Sequence, residues 1–251
     1  MTEDPAMSAI LNQNPGASVK KTKSLPMLRE AIAFNLCLLL SCSVPTTASD
    51  VLLAESIRWY TGENGQVDHV LARDLLEQSV TEGDSLSVMW LARVYISGRM
   101  TFSQDQDRAQ KLADSVVDEI AALAHEGNAE AMFLLGTAYA EGLGRTQEES
   151  AGVRWYRAAA EKGHTLAQHN LGNVYFEGIG VQQSDQLAVQ WWTLAAKSGD
   201  AIPQFRLAGM YEQGRGVSKD TSTALFWYRK AAQRGDNNAA AALERLQKDN
   251  Q

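Results

Sequence analysis

The stretch HTLAQHNLGNVYFEGIGVQQSDQLAVQWWTLAAKSG, residues 164–199, decides the fold, because its skeleton returns every 36 residues in both directions. The recurring residues are the leucines Leu135, Leu171, Leu207 and Leu243, the glycine pairs Gly142/Gly144, Gly178/Gly180 and Gly214/Gly216, and the aromatic pairs Trp155-Tyr156, Trp191-Trp192 and Trp227-Tyr228. A fixed period of this length predicts a stack of repeats, since no single unit can bury its apolar face alone.

Each unit is predicted to be an antiparallel helix pair. Ala167, Leu171 and Tyr175 lie four residues apart and therefore share one face of a first helix. Gly178 interrupts this pattern, and glycine tolerates the left-handed geometry in which helices often end. The second half of the unit again spaces its apolar residues three and four apart, which predicts the second helix.

The predicted N-caps differ in quality between units. Ser184 and Asp220 precede second helices and can accept hydrogen bonds from backbone N–H groups, whereas Glu148 is a weaker substitute. His164 stands where other units place Asp or Asn, so we expect it to cap a first helix rather than bind a ligand.

The combined pattern A-x-x-x-L-G-x-x-Y-x-x-G-x-G-V and A-x-x-W-[YW]-x-x-A-A-x-x-G resembles the Sel1-like repeat (SLR) family, whose members are related to tetratricopeptide repeats. Three near-complete copies cover 128–235, although Ala208 replaces the glycine after the leucine and Gly152 replaces the first alanine of a second helix. The resemblance implies an all-α fold, a right-handed α-solenoid of stacked antiparallel helix pairs.

The pattern divides the chain into a leader, 1–49, and a solenoid, 50–247. The predicted repeats are 50–83, 84–127, 128–163, 164–199 and 200–235, followed by a capping helix, 236–247. The unit 84–127 is eight residues longer than the others. The extra residues are expected either as a loop insertion at Thr101 to Arg108 or as a lengthened second helix.

The leader has the segment order of an export signal. Basic residues from Lys20 to Arg29 precede a short apolar run, Ala31 to Leu40, which is too short to span a bilayer. The following Leu39-Leu40-Ser41-Cys42 resembles a bacterial lipobox, which implies that Cys42 is lipidated and becomes the mature N-terminus. The alternatives are a soluble exported protein cleaved after Ala48 and a buried N-terminal helix with two core cysteines. Translation could start at Met1 or at Met27.

The lipoprotein interpretation implies a place in the cell envelope, facing the periplasm. Ser43, rather than aspartate, follows the lipidated residue, and the resemblance to enteric sorting patterns then favours the outer membrane over the inner one. A mature lipoprotein carries several acyl chains, which hold a protein firmly where one chain holds it weakly.

Composition and motifs argue against several functions. A net charge of −7 argues against binding nucleic acid, which needs a basic face. The sequence has no H-E-x-x-H, thiolate cluster or phosphate loop, so we expect no metal, cofactor or enzymatic activity. The β-lactam enzymes use S-x-x-K with S-D-N and K-T-G; the one S-x-x-K lies in the leader and the other motifs are missing.

What remains is a surface for a protein or peptide partner. In tetratricopeptide-like stacks the first helices line the concave face, and positions two residues on either side of the repeat leucine turn away from the buried stripe. The candidate partner-binding residues on this face are Met89, Arg93, Phe133, His169, Asn173, Phe176 and Phe205. Aromatic residues here could instead pack against the adjacent helix.

The sequence therefore predicts a non-catalytic protein–protein interaction scaffold of the bacterial cell envelope. The alternatives are an immunity-type inhibitor of a secreted toxic enzyme, a cytoplasmic adaptor, and a β-lactam-binding or β-lactam-hydrolysing enzyme.

Overall fold

The computed structural model describes residues 47–248, which form eleven helices and no strand. The helices are α1 Ala48–Thr61, α2 His69–Thr81, α3 Ser85–Ser97, α4 Gln106–His125, α5 Ala129–Glu141, α6 Glu149–Glu161, α7 Thr165–Glu177, α8 Asp185–Ser198, α9 Ala201–Gln213, α10 Thr221–Gln233 and α11 Asn237–Lys248. Consecutive helices pack side by side as pairs, and each pair packs on the next, so the predicted all-α stack is confirmed. The predicted signal and Cys42 lie outside the described residues.

None of the helices between residues 47 and 248 combines the length and the apolar character needed to cross a membrane.

The predicted caps and turns end the helices where the sequence indicates. Ser184 accepts a hydrogen bond from the N–H of Leu187, and the Nδ1 atom of His164 accepts one from Ala167 at 3.1 Å. Glu148 occupies an N-cap position without making such a bond, as expected for a weaker cap. At the other end of α7, Gly178 has φ of 76°, a left-handed conformation that costs a glycine little.

The two helices of a pair cross where a small residue meets a large ring. A Cβ atom built on Gly172 of α7 would lie 2.2 Å from Cδ1 of Trp192 on α8, so only glycine fits under this indole. Trp192 is 1% exposed and donates its Nε1 hydrogen to Oδ1 of Asn173 at 3.2 Å. In the following pair Ala208 takes the glycine's place, and the opposing ring is the smaller Tyr228. The residue after the repeat leucine therefore sets how closely the two helices approach.

Successive pairs are held in register by contacts that repeat along the stack. A Cβ atom on Gly180 would lie 2.9 Å from the backbone of Glu149, the first residue of α6 in the preceding pair. The turn after α7 therefore packs directly against the N-terminus of α6. The Gln168 side chain donates to the carbonyl of Ala160 at 3.2 Å, and Gln204 does the same to Ala196 at 3.0 Å. These bonds occupy carbonyls that the end of a helix leaves unpaired.

The extra residues of the unit 84–127 lengthen its second helix. Helix α4 has 20 residues, against 13 in α6, and its N-cap is Asp105. The connection before α4 has eight residues, 98–105, against seven in the next unit, 142–148, so the interpretation as a loop insertion at Thr101 to Arg108 is wrong. The reason is the apolar stripe of α4, which stays buried from Ala109 to Ala124 and extends the core contact by two turns.

The first and last helix pairs touch each other. The guanidinium of Arg234, in the turn after α10, donates to the carbonyl of Gly62, and the N–H of Val67 donates to the Arg234 carbonyl at 3.3 Å. Both partners lie in the loop between α1 and α2. The described helices thus curve until the loop of the first pair meets the turn that follows the fifth.

Glu63, in the same loop, reaches the start of α7. Its carboxylate is hydrogen-bonded to the side chain of Thr165 and lies near Asp200. Burial, followed by the charge of Asp200, raises the pKa of Glu63 above its usual value. The contact between the first and fifth helix pairs, called the closing contact below, therefore includes a carboxyl group that holds its proton more tightly in the folded chain than in the unfolded chain.

Replacing Gly172 with alanine tests the helix crossing. The added methyl group collides with Trp192, and overpacking of this kind costs about 1–3 kcal/mol. We expect the urea midpoint of Gly172→Ala to fall accordingly. The double variant Gly172→Ala/Trp192→Tyr rebuilds the Ala208–Tyr228 pair of the next unit and should recover part of the loss. An unchanged midpoint for the single variant would contradict the crossing.

Glu63→Gln tests the closing contact through its pH dependence. Because the folded chain holds the Glu63 proton more tightly, stability from protonation is present below the unfolded pKa and is lost as pH rises through the folded one. The variant should therefore unfold at a higher urea concentration than the wild type at pH 7, and the gain should shrink as pH falls through the raised pKa of the folded chain and disappear below the usual pKa of a glutamate. Exposed Glu82→Gln controls for net charge and should show no such trend.

Candidate functional site

The first helices of four units enclose a cavity of about 570 Å³. Residues from α1, α3, α7 and α9 line it, together with residues from the connections between helices. Apolar residues such as Val67, Leu166 and Ile202 lie beside polar or charged ones, which include Tyr60, His69, Arg93, Arg99, His169, Asn170, Asn173, Asp200, Arg206 and Asp236. This volume falls within the range of pockets that bind small molecules or peptide side chains.

Arg93 on α3 is the most deeply buried cation of this site. Only 4% of the residue is exposed, and its guanidinium lies over the rings of Trp90 at 4.6 Å and Phe133 at 5.1 Å. Its Nη1 atom is buried and has no hydrogen-bond partner among the described residues. Such an orphaned donor is uncommon in a folded protein, because burying it without a partner costs free energy.

Arg206 on α9 repeats this arrangement across the cavity. Its guanidinium lies over the ring of Trp192 at 5.6 Å, and its Nε atom is buried without a hydrogen-bond partner. Arg93 and Arg206 thus both line one cavity, both lie over an aromatic ring, and each has one buried N–H group without a partner.

The charges behind Arg93 are partly balanced. Burial by itself raises the pKa of Glu130, but the charge of His164, hydrogen bonds from His164 and Trp90, and the charge of Arg93 outweigh it and lower this pKa. The carboxylate oxygens of Glu130 are bonded to His164 at 3.0 Å and to Trp90, and neither is bonded to Arg93. Glu130 therefore contributes a nearby negative charge but leaves the Arg93 donor unpaired.

His169 and Asp200 form a buried pair at the cavity wall, with Nδ1 and Oδ2 2.8 Å apart. Asp200 also caps α9 by accepting a hydrogen bond from Ile202. The equivalent positions of the preceding unit are Phe133 and His164, whose rings stack 4.6 Å apart. The pair therefore belongs to a contact that each unit makes with the cap of the next. Among residues 47–248, no serine or cysteine lines the cavity beside it.

Three of the seven predicted partner-binding residues, Arg93, His169 and Asn173, line this cavity. Met89 and Phe133 are 1% and 0% exposed, so they lie in the core and offer no free surface.

The last two predicted residues pack within their own helix pairs. Phe176 lies 5.3 Å from Trp192, and Phe205 lies 5.6 Å from Tyr228. The expected apolar track is therefore not continuous, because its rings fill the spaces between adjacent helices. Whether any of the seven touches a partner stays a prediction.

The sequence carried a signal for the polar cavity that the groove prediction did not use. The position just before the repeat leucine is apolar in two units, as Trp90 and Leu134, and both residues are fully buried. The next two units place Asn170 and Arg206 at this position, and both line the cavity. Polar residues at a position packed elsewhere in the core indicate that the helix there faces a polar space.

The described residues 47–248 contain no group of three or more His, Cys, Asp or Glu side chains that could hold a metal ion.

The Sel1 repeat family model matches residues 129–164, 165–200 and 204–236. Among solved structures, the chain is similar to a protective antigen of uropathogenic Escherichia coli displaying an SLR fold, with 24% identity over 85% of this chain and a TM-score of 0.52. The match spans 50% of the length of that antigen. No curated protein shows a significant match.

Two other solved structures superpose less fully. A Sel1 repeat protein from Oxalobacter formigenes has 28% identity over 76% of this chain and 72% of its own, with a TM-score of 0.49. An immunity protein from Pseudomonas aeruginosa has 16% identity over 76% of this chain and 83% of its own, with a TM-score of 0.41.

The matched repeats begin and end at the helix pairs from α5 to α10, and the antigen with the SLR fold shares the stacked architecture. The chain therefore contains three Sel1 repeats between residues 129 and 236.

Proposed function

We propose that this protein is a non-catalytic scaffold of the bacterial cell envelope that holds a peptide segment of a partner protein in the cavity between its first helices. Sel1 repeats suggest a protein-interaction scaffold in general. The observation that carries the specific proposal is a 570 Å³ cavity lined by Arg93 and Arg206, each of which has one buried N–H group without a hydrogen-bond partner among the described residues.

A peptide suits this cavity because it supplies both hydrogen-bond donors and acceptors along its backbone. Asn170 and Asn173 are only partly buried and place amide groups on the wall, where an extended backbone can pair with them. The surrounding frame is stiff, since each arginine is held against a buried ring. A wall that is already ordered loses little conformational entropy on binding.

A photo-crosslinking amino acid at position 173 tests the location of the partner. Placed there in cells that naturally produce the protein, it should form an adduct with a partner protein. The matched control places the same group at Leu194, a 44% exposed residue of the second helix α8, where we expect no adduct.

Adducts from position 194 but none from position 173 would refute binding in the cavity. Mass spectrometry of the adduct also identifies the class of partner. An assembly protein of the envelope supports a scaffold role, whereas a secreted toxic enzyme would indicate an immunity-type inhibitor.

The envelope location rests on the leader, which lies outside the described residues. Metabolic labelling with a palmitate analogue should label the wild type and fail to label Cys42→Ser, because the thiol of Cys42 is the predicted site of acylation. Fractionation should then release the variant from the membrane. A label that survives the substitution, or a full-length chain in the cytosol, would reject this part of the proposal.

A further inference from the structure

We infer that Arg93, assisted by Arg206, binds a carboxylate of the occupant, so that the cavity selects an acidic peptide segment. This inference rests on the proposed function and adds the chemistry by which the occupant is recognised. It assigns a role to two buried donors that the fold itself leaves unused.

The surroundings of Arg93 hold its guanidinium without pairing it. Its Cζ atom lies over the rings of Trp90 and Phe133, at 4.6 and 5.1 Å. Contacts of this kind attract the delocalised charge of the guanidinium and form no conventional hydrogen bond with its N–H groups. Nη1 remains buried, unpaired and part of a residue that lines the cavity. A carboxylate matches this planar fork with two parallel hydrogen bonds.

The hydrogen bonds of the two aspartates that line the cavity go to groups other than its arginines. Asp200 accepts hydrogen bonds from His169 and from the N–H of Ile202, and Asp236 accepts two from the first turn of α11. Both carboxylates are therefore engaged in capping helices. Arg99 donates to the hydroxyl of Tyr60 at 3.3 Å, which fixes a third cation at the same wall.

The formal charge of the cavity lining suits a singly charged ligand. Arg93, Arg99 and Arg206 outnumber Asp200 and Asp236 by one positive charge, which one carboxylate balances, whereas a phosphate carries about −1.5 to −2 charges at pH 7. A carboxylate carries one charge and needs only one guanidinium fork. The cavity is therefore matched to a carboxylate, supplied by an acidic side chain or a chain end.

Calorimetric titration of the full chain with four probes tests this inference. The probes are acetyl-Ala-Glu-Ala-amide, acetyl-Ala-Gln-Ala-amide, succinate and inorganic phosphate. We expect the Glu peptide to bind at least about tenfold more tightly than the Gln peptide, or about 1.4 kcal/mol. Arg93→Gln should abolish this difference, and Arg93→Lys, which keeps the charge without the fork, should retain part of it.

Arg215→Gln is the matched control. Arg215 also lies over an aromatic ring, Phe176, at 4.2 Å, but it pairs with Asp185 and lies outside the cavity. Its variant changes net charge by the same amount and should bind the Glu peptide like the wild type. Thermal melting of each variant shows whether it is folded. If Arg93→Gln does not fold, Arg93→Lys still tests the inference.

The outcomes separate this inference from the proposed function. Equal binding of the Glu and Gln peptides, unaffected by Arg93→Gln, would overturn carboxylate recognition and leave the peptide scaffold standing. Binding of succinate alone, lost in Arg93→Gln, would support the carboxylate site and overturn the peptide. Tighter binding of inorganic phosphate than of succinate, or no binding of any probe, would overturn the inference.

Discussion

The structure depends on the closest approach between helices, which small residues permit at two places in each unit. Inside a pair, Gly172 lies against the indole of Trp192, and between pairs Gly180 lies against the backbone of Glu149. Because these contacts leave no room for a side chain, they fix both the crossing of each pair and the step to the next one. Because the same displacement from one pair to the next is repeated, the first helices α1, α3, α7 and α9 come to line one cavity.

The cavity arises from substitutions on this repeated frame. At positions where one unit buries Leu134, or stacks Phe133 on His164, the next units place polar side chains that face the cavity or pair across its wall. Trp90 and Trp192 have two roles, since they fill the core between helices and also contact the guanidinium groups of Arg93 and Arg206. The site thus uses the rings that stabilise the fold to orient the charges that bind.

Local sequence was enough to predict the helix pairs, the left-handed turn at Gly178 and the cap at His164, because each depends on neighbours within one unit. It could not predict the path of the stack, since small angles between units add up over the whole chain. The groove prediction therefore placed Phe133 on a surface, although the rings of Trp90, Tyr156 and His164 pack against it and it is buried. The length of α4 stayed open for a related reason, because a loop and a helix fit the same eight extra residues.

Arg234 gives this array a property that an open row of repeats lacks. In a linear array each unit is stabilised only by its neighbours, so the two ends lose structure independently. Here the bonds from Arg234 to Gly62 and Val67 make the first and fifth helix pairs neighbours as well. Unfolding of either pair therefore removes contacts from the other. We expect the repeats to unfold in one cooperative transition rather than to fray independently from the two ends.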